Sequence, residues 1–211
     1  MTSSSWEARL RAAVPAHGDA ARLPGLVAEL LAQQRQAWPL LRDGYAAWAR
    51  SQTRRVAVRS AEVVLQHNAG RLRNTTADVA AAAAGARPCF LCPQSLPPEE
   101  QGIAFGDELV ILCNPYPILD RHLSITHREH RPQRLSGRLE TMLTLAQALG
   151  PEFFVLYNGP RCGASAPDHL HFQACARALL PIARDLEEGA TVIGPEQCGR
   201  SVLALHGRAA R

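Results

Sequence analysis

The run Asn158-Gly159-Pro160-Arg161-Cys162-Gly163-Ala164-Ser165-Ala166-Pro167-Asp168-His169-Leu170-His171-Phe172-Gln173 holds the densest chemistry in the chain. Side chains alternate across an extended strand. A strand from Asp168 to about Cys175 therefore sets His169, His171 and Gln173 on one face and Leu170, Phe172 and Ala174 on the other. The second set is apolar and suits a core. A face of two imidazoles and an amide is costly to hide and useful to expose. Ahead of it, the side chains of Gly163-Ala164-Ser165 are small enough for backbone N–H groups to approach an anion. Either His taken alone reads as a satisfied core residue; alternation with Gln behind a small-residue loop reads as a site.

Outward from this run, Phe153 to Asn158 reads as a buried strand. Leu135, Leu139, Met142, Leu143, Ala146 and Leu149 recur at helical spacing, with Pro132 near the first turn and Gly150 at the end. Further upstream, 102–106, 109–114 and 122–126 read as strands, as does Glu62 to His67. An Ala-rich stretch, 77–86, leads to Cys89-Phe90-Leu91-Cys92-Pro93. Residues 19–50 read as helix, with Val27, Leu30, Leu31, Gln34, Trp38, Leu41, Tyr45 and Trp48 forming one stripe toward the core, and Pro39 kinking or splitting it. Short apolar segments at 191–194 and 201–205 add an edge strand or pack outside. The pattern is α+β: an N-terminal helical segment, 1–58, ahead of a domain over 59–211, without internal repeats.

The 211 residues are 46% hydrophobic and 20% charged, a profile that supports a packed core. Net charge is +4, a modest bias toward anionic ligands that is too scattered to indicate nucleic acid. Every basic residue is Arg and none is Lys. That excludes a Walker-type phosphate loop, a pyridoxal-phosphate Schiff base and a Ser/Lys dyad, so phosphate handling falls to Arg, His, backbone N–H groups or metal. The start of the chain, Met1-Thr2-Ser3-Ser4-Ser5-Trp6, shows no basic region followed by an apolar stretch, and the chain reads as cytoplasmic with no membrane partner. Six cysteines then argue for metal or free thiols over disulfides.

Cys89-x-x-Cys92 is half of a tetrahedral metal site, for which His122, His127, His130 and His169 are the candidates to complete it. Without a metal the pair reads as free thiols or a redox pair, though no βαβ pattern surrounds it. Cys113, Cys162, Cys175 and Cys198 have no paired spacing. The segment His127-Arg128-Glu129-His130-Arg131-Pro132-Gln133-Arg134 reads as a solvated connection apart from His130.

The His-Leu-His-Phe-Gln string, its preceding loop and Asn114-Pro115-Tyr116-Pro117-Ile118 together resemble the histidine-triad superfamily. The resemblance is to the branch in which Gln replaces the third His, which includes galactose-1-phosphate uridylyltransferase and the Ap4A and GDP-hexose phosphorylases. Within it, the arrangement over roughly 60–176 looks like a bacterial group, DUF4922. What this implies is a histidine-triad-like antiparallel sheet and a two-step transfer through a nucleotidyl-histidine. His171 would be the nucleophile and Gln173 would hydrogen-bond the transferred phosphoryl group. Ser165 and the Gly163 backbone would hold the adjacent phosphate, with Asn158 near the nucleotide or the His loop and Asn114 among the substrate-binding residues. The zinc ligands implied are Cys89, Cys92, His130 and His169, in a structural site that fixes the segment carrying His171. Gln66 to Arg73 also resembles that group; Arg71 and Arg73 read equally as a phosphate clamp or a solvated turn, with Arg161 the next candidate. Two departures stand out: Ser165 is four residues before the first His where the family has three, and Asp168 has no counterpart.

The implied activity moves a nucleoside monophosphate from a nucleotide-sugar or dinucleoside polyphosphate to phosphate or a sugar phosphate. The rivals are a hydrolase of the same superfamily, against which Gln173 leans, and a nucleotide-binding module without turnover. Uridylyltransferase-like relatives are longer and commonly dimeric, so a homodimer is expected, with the acceptor pocket supplied by a partner subunit or missing.

Overall fold

The computed structural model describes residues 3–18, 20–58, 61–69, 88–179, 192–193 and 202–203. Helix α1 (Ser3–Glu7) leads into strand β1 (Leu10–Val14), then helices α2 (Leu23–Ala37) and α3 (Pro39–Ala49). Strands β2 (Gln52–Val58) and β3 (Ala61–His67) form a separate antiparallel pair. After them come β4 (Gly102–Phe105), β5 (Leu109–Cys113), β6 (Leu123–His127), helix α4 (Leu139–Leu149), β7 (Phe153–Leu156) and β8 (His171–Ala176). The short strands β9 (Val192–Ile193) and β10 (Val202–Leu203) pair with each other. The fold is α+β, built on a six-stranded sheet in the order β1-β4-β5-β6-β8-β7. Its pairings are antiparallel except for β1, which lies parallel to β4 at one edge. No described helix is long and apolar enough to cross a membrane.

The helical stripe of the sequence is the helical face of the core. Leu23, Val27, Leu30, Leu31, Trp38, Leu41 and Tyr45 pack with Ile103, Ile111, Leu123, Ile125, Leu145, Leu149 and Phe172. Pro39 divides the helix because the residue before a proline is pushed out of the helical region; Trp38 sits extended at φ −114°, ψ 104°. Gly150 ends α4 at φ +68°, a conformation open to glycine at little cost. Gly44 has another reason: a Cβ there would overlap the carbonyl of Pro115, so the 114–118 loop lies directly on α3.

Several expectations shift. The N-terminal segment contributes β1 to the main sheet and β2 to the small one, as well as helices. Helix α4 starts at Leu139, not near Leu135. Strand β8 starts at His171, so His169 lies in the turn before it, off the strand face.

Gln34, one of the helical stripe, is buried and donates its amide to the carbonyl of Glu99 (3.0 Å) while accepting the N–H of Gln101 (3.0 Å), tying α2 to the entry of β4. Glu100 lies between these two anchors and is also buried. Burial pushes its carboxyl up to about 8, with Arg9 opposing the shift. A carboxyl that binds its proton more tightly folded than unfolded costs stability as the pH rises from its unfolded value through its folded one. Between about pH 5 and about pH 9 the melting temperature of the wild type should therefore fall more steeply than that of Glu100→Gln, whose amide cannot ionise. Parallel curves in a thermal melt series would contradict this account of Glu100.

Candidate functional site

Cys89, Cys92, His130 and His169, from three separate stretches of chain, bring one ligand atom each to within 4.8 Å of one another. Cys89 Sγ lies 3.2 Å from His169 Nδ1, and Cys92 Sγ lies 3.3 Å from His130 Nδ1 and 3.5 Å from His169 Nδ1. Both imidazoles are turned from behind. His169 Nε2 is 2.8 Å from the carbonyl of His127 and 3.0 Å from the Thr126 hydroxyl. A carbonyl only accepts, so Nε2 carries the proton and Nδ1 presents its lone pair to the thiols. On His130, Asp168 stands 3.4 Å from Nε2, leaving Nδ1 on the thiol side. That is the part played by Asp168, the residue without a family counterpart. Carboxylate and carbonyl partners of this kind orient metal-binding imidazoles.

Burial governs the protonation of the cluster. Burial, then the neighbouring Cys89, pushes the Cys92 thiol up to about 12. Burial pushes His169 down to about 4, so its ring is neutral and able to ligate. The four residues could hold a metal ion. Among the candidates read from sequence, His122 and His127 lie outside this group.

His171 opens β8 with its backbone across from Thr126 of β6. Its Nδ1 is 2.8 Å from the carbonyl of His169, which makes Nδ1 the protonated nitrogen and leaves the lone pair on Nε2. The ring is buried, contrary to the expectation of an exposed polar face, and burial pushes its pKa down. The neutral, nucleophilic form is thereby favoured.

Gln133 holds this residue in place, and reading it as part of a solvated connection was wrong: it is 1% exposed. Its Oε1 accepts the N–H of His171 at 2.8 Å, and its Nε2 donates to the carbonyls of His171 (3.1 Å) and Asn158 (2.9 Å). Strands β7 and β8 separate past the Leu156–Gln173 pair, and the Gln133 amide bridges the opening as a peptide group would. Tyr157 donates its hydroxyl to the Gln133 carbonyl at 2.9 Å, so the clamp is itself clamped. Only its place between charged neighbours, where an amide is the one uncharged polar side chain, sets Gln133 apart in the sequence.

Gln173 follows His171 by two residues on the same strand and sits across from Ser124 and Leu156. Its Oε1 is 2.8 Å from Nε2 of His122, a buried residue just ahead of β6. Asn114 turns its amide inward, donating to the Ser124 hydroxyl (3.0 Å) and accepting the N–H of Tyr116 (2.9 Å). The side chains of Arg161 and Ser165 and the backbone of Gly163 lie on the exposed loop leading to β8. Gly163 adopts φ +88°, which a side chain would strain. Arg71 and Arg73 lie outside the described residues.

The chain belongs to the DUF4922 family, a domain of unknown function, whose match runs over residues 30–176. No curated protein matches. Among solved structures, the chain is similar to yeast Ap4A phosphorylase Apa2. In complex with AMP that enzyme is 18% identical, with 78% of this chain and 55% of that one covered at a TM-score of 0.44. In complex with Ap4A it is 14% identical, with 76% and 58% covered at a TM-score of 0.42. The chain thus spans little more than half of the length of the yeast enzyme.

Two outcomes are expected of this geometry. Elemental analysis of the purified protein should find one metal ion per chain, absent from Cys92→Ser. Asp168→Asn should keep the ion but yield it to a chelator about tenfold more readily, because a partner behind the ligand tunes affinity without making the bond. Metal-free wild type would remove this assignment. Gln133→Met keeps the volume but leaves three backbone groups, two of them buried, without this partner; urea unfolding should show a loss of about 2–4 kcal/mol. Arg131→Gln, which removes an exposed ion pair with Glu129 and a weaker attraction to Glu108, should leave the midpoint nearly unchanged.

Proposed function

We infer that this DUF4922 chain is a nucleotidyltransferase of the phosphorylase type, in the branch of the histidine-triad superfamily where Gln stands for the third His. It transfers a nucleoside monophosphate from a nucleotide-sugar or dinucleoside polyphosphate to inorganic phosphate or a sugar phosphate, through a nucleotidyl-histidine on His171. The observation that carries this reading is the 2.8 Å bond from His171 Nδ1 to the carbonyl of His169. It commits the ring to one tautomer and leaves Nε2 as a neutral nucleophile.

In the first step the Nε2 lone pair forms a bond to the donor's α-phosphorus. The bond from phosphorus to the leaving oxygen breaks, and that oxygen keeps the electron pair. The ring then bears phosphorus on Nε2 and a proton on Nδ1, and the His169 carbonyl stabilises the resulting positive charge. In the second step an acceptor oxygen attacks phosphorus, the P–N bond breaks and the neutral ring returns. Gln173 donates to the phosphoryl oxygens as charge gathers there. The loop of Gly163 and Ser165 receives the neighbouring phosphate, Arg161 adds charge at its rim, and Arg71 and Arg73 are the further phosphate contacts. Asn158 and Asn114 border the nucleotide.

Zinc is the metal that suits Cys89, Cys92, His130 and His169. Tetrahedral Zn–S and Zn–N bonds set ligand atoms about 3.4–3.8 Å apart, and two thiolates with two imidazoles are a donor set of structural zinc sites. The separations of 3.2, 3.3 and 3.5 Å support that fit. Bound there, zinc would supply a cross-link holding the turn before His171, with no part in the transfer itself.

Intact-protein mass at neutral pH, after incubation with ATP, GTP, UTP, Ap4A, GDP-hexoses and UDP-hexoses, tests the reading. Acid is avoided because phosphoramidates hydrolyse in it. A nucleoside-monophosphate adduct is expected on the wild type and not on His171→Ala; its mass names the base, and phosphate should discharge it faster than water. Thermal protection by nucleotides without an adduct would replace this reading with a binding module, and an adduct surviving in His171→Ala would displace the nucleophile.

A further inference from the structure

His122 is a buried imidazole held from every side, far more firmly than a filler residue requires. Its N–H donates to the hydroxyl of Tyr45 on α3 at 3.1 Å, and its carbonyl accepts the N–H of Asn114 at 3.0 Å. The residue before it, Arg121, adopts φ +50°, the left-handed region that a side chain disfavours. Its side chain pairs with Glu152 and stacks 4.8 Å above the ring of Phe153. The backbone therefore aims the His122 ring in one direction.

The ring's tautomer is settled as well. Nδ1 lies 3.3 Å from the N–H of Ile118, a group that only donates, so Nδ1 is the acceptor and the proton sits on Nε2. Nε2 in turn is 2.8 Å from Gln173 Oε1. A glutamine amide has two ends of nearly equal shape and opposite chemistry, and only a neighbour decides which end faces which way. A committed donor at Oε1 leaves Nε2H2 as the free end, and no hydrogen bond from that nitrogen is found among the described residues.

We propose that His122 is a positioning residue that holds Gln173 by its oxygen, so that the amide NH2 is presented to a phosphoryl group at His171. The relay runs from the Ile118 N–H through the His122 ring to the Gln173 carbonyl, two residues along the strand from the nucleophile. With the amide reversed, its oxygen would face the phosphoryl oxygens and repel them. The proposal rests on the reading of His171 as the nucleophile, while its core, the commitment of both rotors, can be measured without turnover.

Two measurements test it. The first is nitrogen-15 spectroscopy of the imidazoles in the full chain, with His122 assigned by comparison with His122→Gln. The wild type should show His122 as the Nε2–H tautomer, with a hydrogen-bonded Nε2 proton protected from solvent exchange and lost in Q173A. A His122 in the other tautomer, or one unaffected by Q173A, overturns the proposal. The second is the rate of adduct formation at His171 under single-turnover conditions. His122→Leu should slow it about 100-fold with donor KM within about threefold, as for loss of a transition-state donor. His122→Gln, which can place an NH2 near the position of Nε2, should recover most of that loss. In the Q173A background His122→Leu should change the rate no further, since its partner is gone. Losses that multiply, or no recovery in His122→Gln, overturn the proposal. A wild type that forms no adduct with any donor removes the reading of His171 instead, and the spectra alone then decide.

Discussion

The carbonyl oxygen of His169 accepts the Nδ1–H of His171 at 2.8 Å, while the imidazole of His169 donates Nε2–H to His127 and turns Nδ1 toward Cys89 and Cys92. One residue thus ties the side-chain cluster to the neighbouring imidazole by two different parts of itself. Because the link is a main-chain carbonyl, ordering the turn at His169 also sets the tautomer of His171. The cluster draws Cys89 and Cys92 from one loop, His130 from the loop after β6, and His169 from the turn before β8.

Around this link, side-chain amides carry the precision. Gln34 and Gln133 are buried, Gln173 is half-buried with its oxygen turned to His122, and each meets a partner of fixed chemistry. A buried peptide group left unpaired costs about 1–3 kcal/mol, whereas an exposed ion pair is screened by water and contributes little. The run from Arg128 to Arg134 shows which effect wins. Its Arg131–Glu129 pair is exposed, and the segment is located by Gln133, which satisfies three backbone groups. Burial has a second consequence. It keeps the imidazoles of His169 and His171 neutral, the form that can ligate or attack.

Much of this was legible in the residues. The helical stripe, its division at Pro39 and the glycine stop at Gly150 each follow from local rules, and the structure follows them. The Cys89-x-x-Cys92 pair with His130 and His169 was legible through resemblance, and the four come together. Strand β1 was not read, because Leu10–Val14 is short and rich in small residues, and it is defined by parallel pairing with residues some ninety positions away. The strand carrying His171 begins three residues later than alternation alone suggests. Alternation describes a strand but does not say where a turn interrupts it, and here the turn exists to bring His169 to the thiols.

What the sequence by itself determined is the chemistry on offer. Any phosphate would have to be met without lysine, two thiols can share a cation, and His-Leu-His-Phe-Gln sets polar groups beside a core. These conclusions depend on residue type and near-neighbour spacing, which are local. Tertiary structure alone decided which nitrogen of each imidazole is hydrogen-bonded, that the Gln173 oxygen meets His122, that Gln133 clamps the backbone of His171, and that Asp168 stands behind His130. Each of those outcomes rests on a hydrogen bond with a partner on another element of the fold. A hydrogen bond acts only at about 3 Å, and the folded sheet is what brings such partners within that reach.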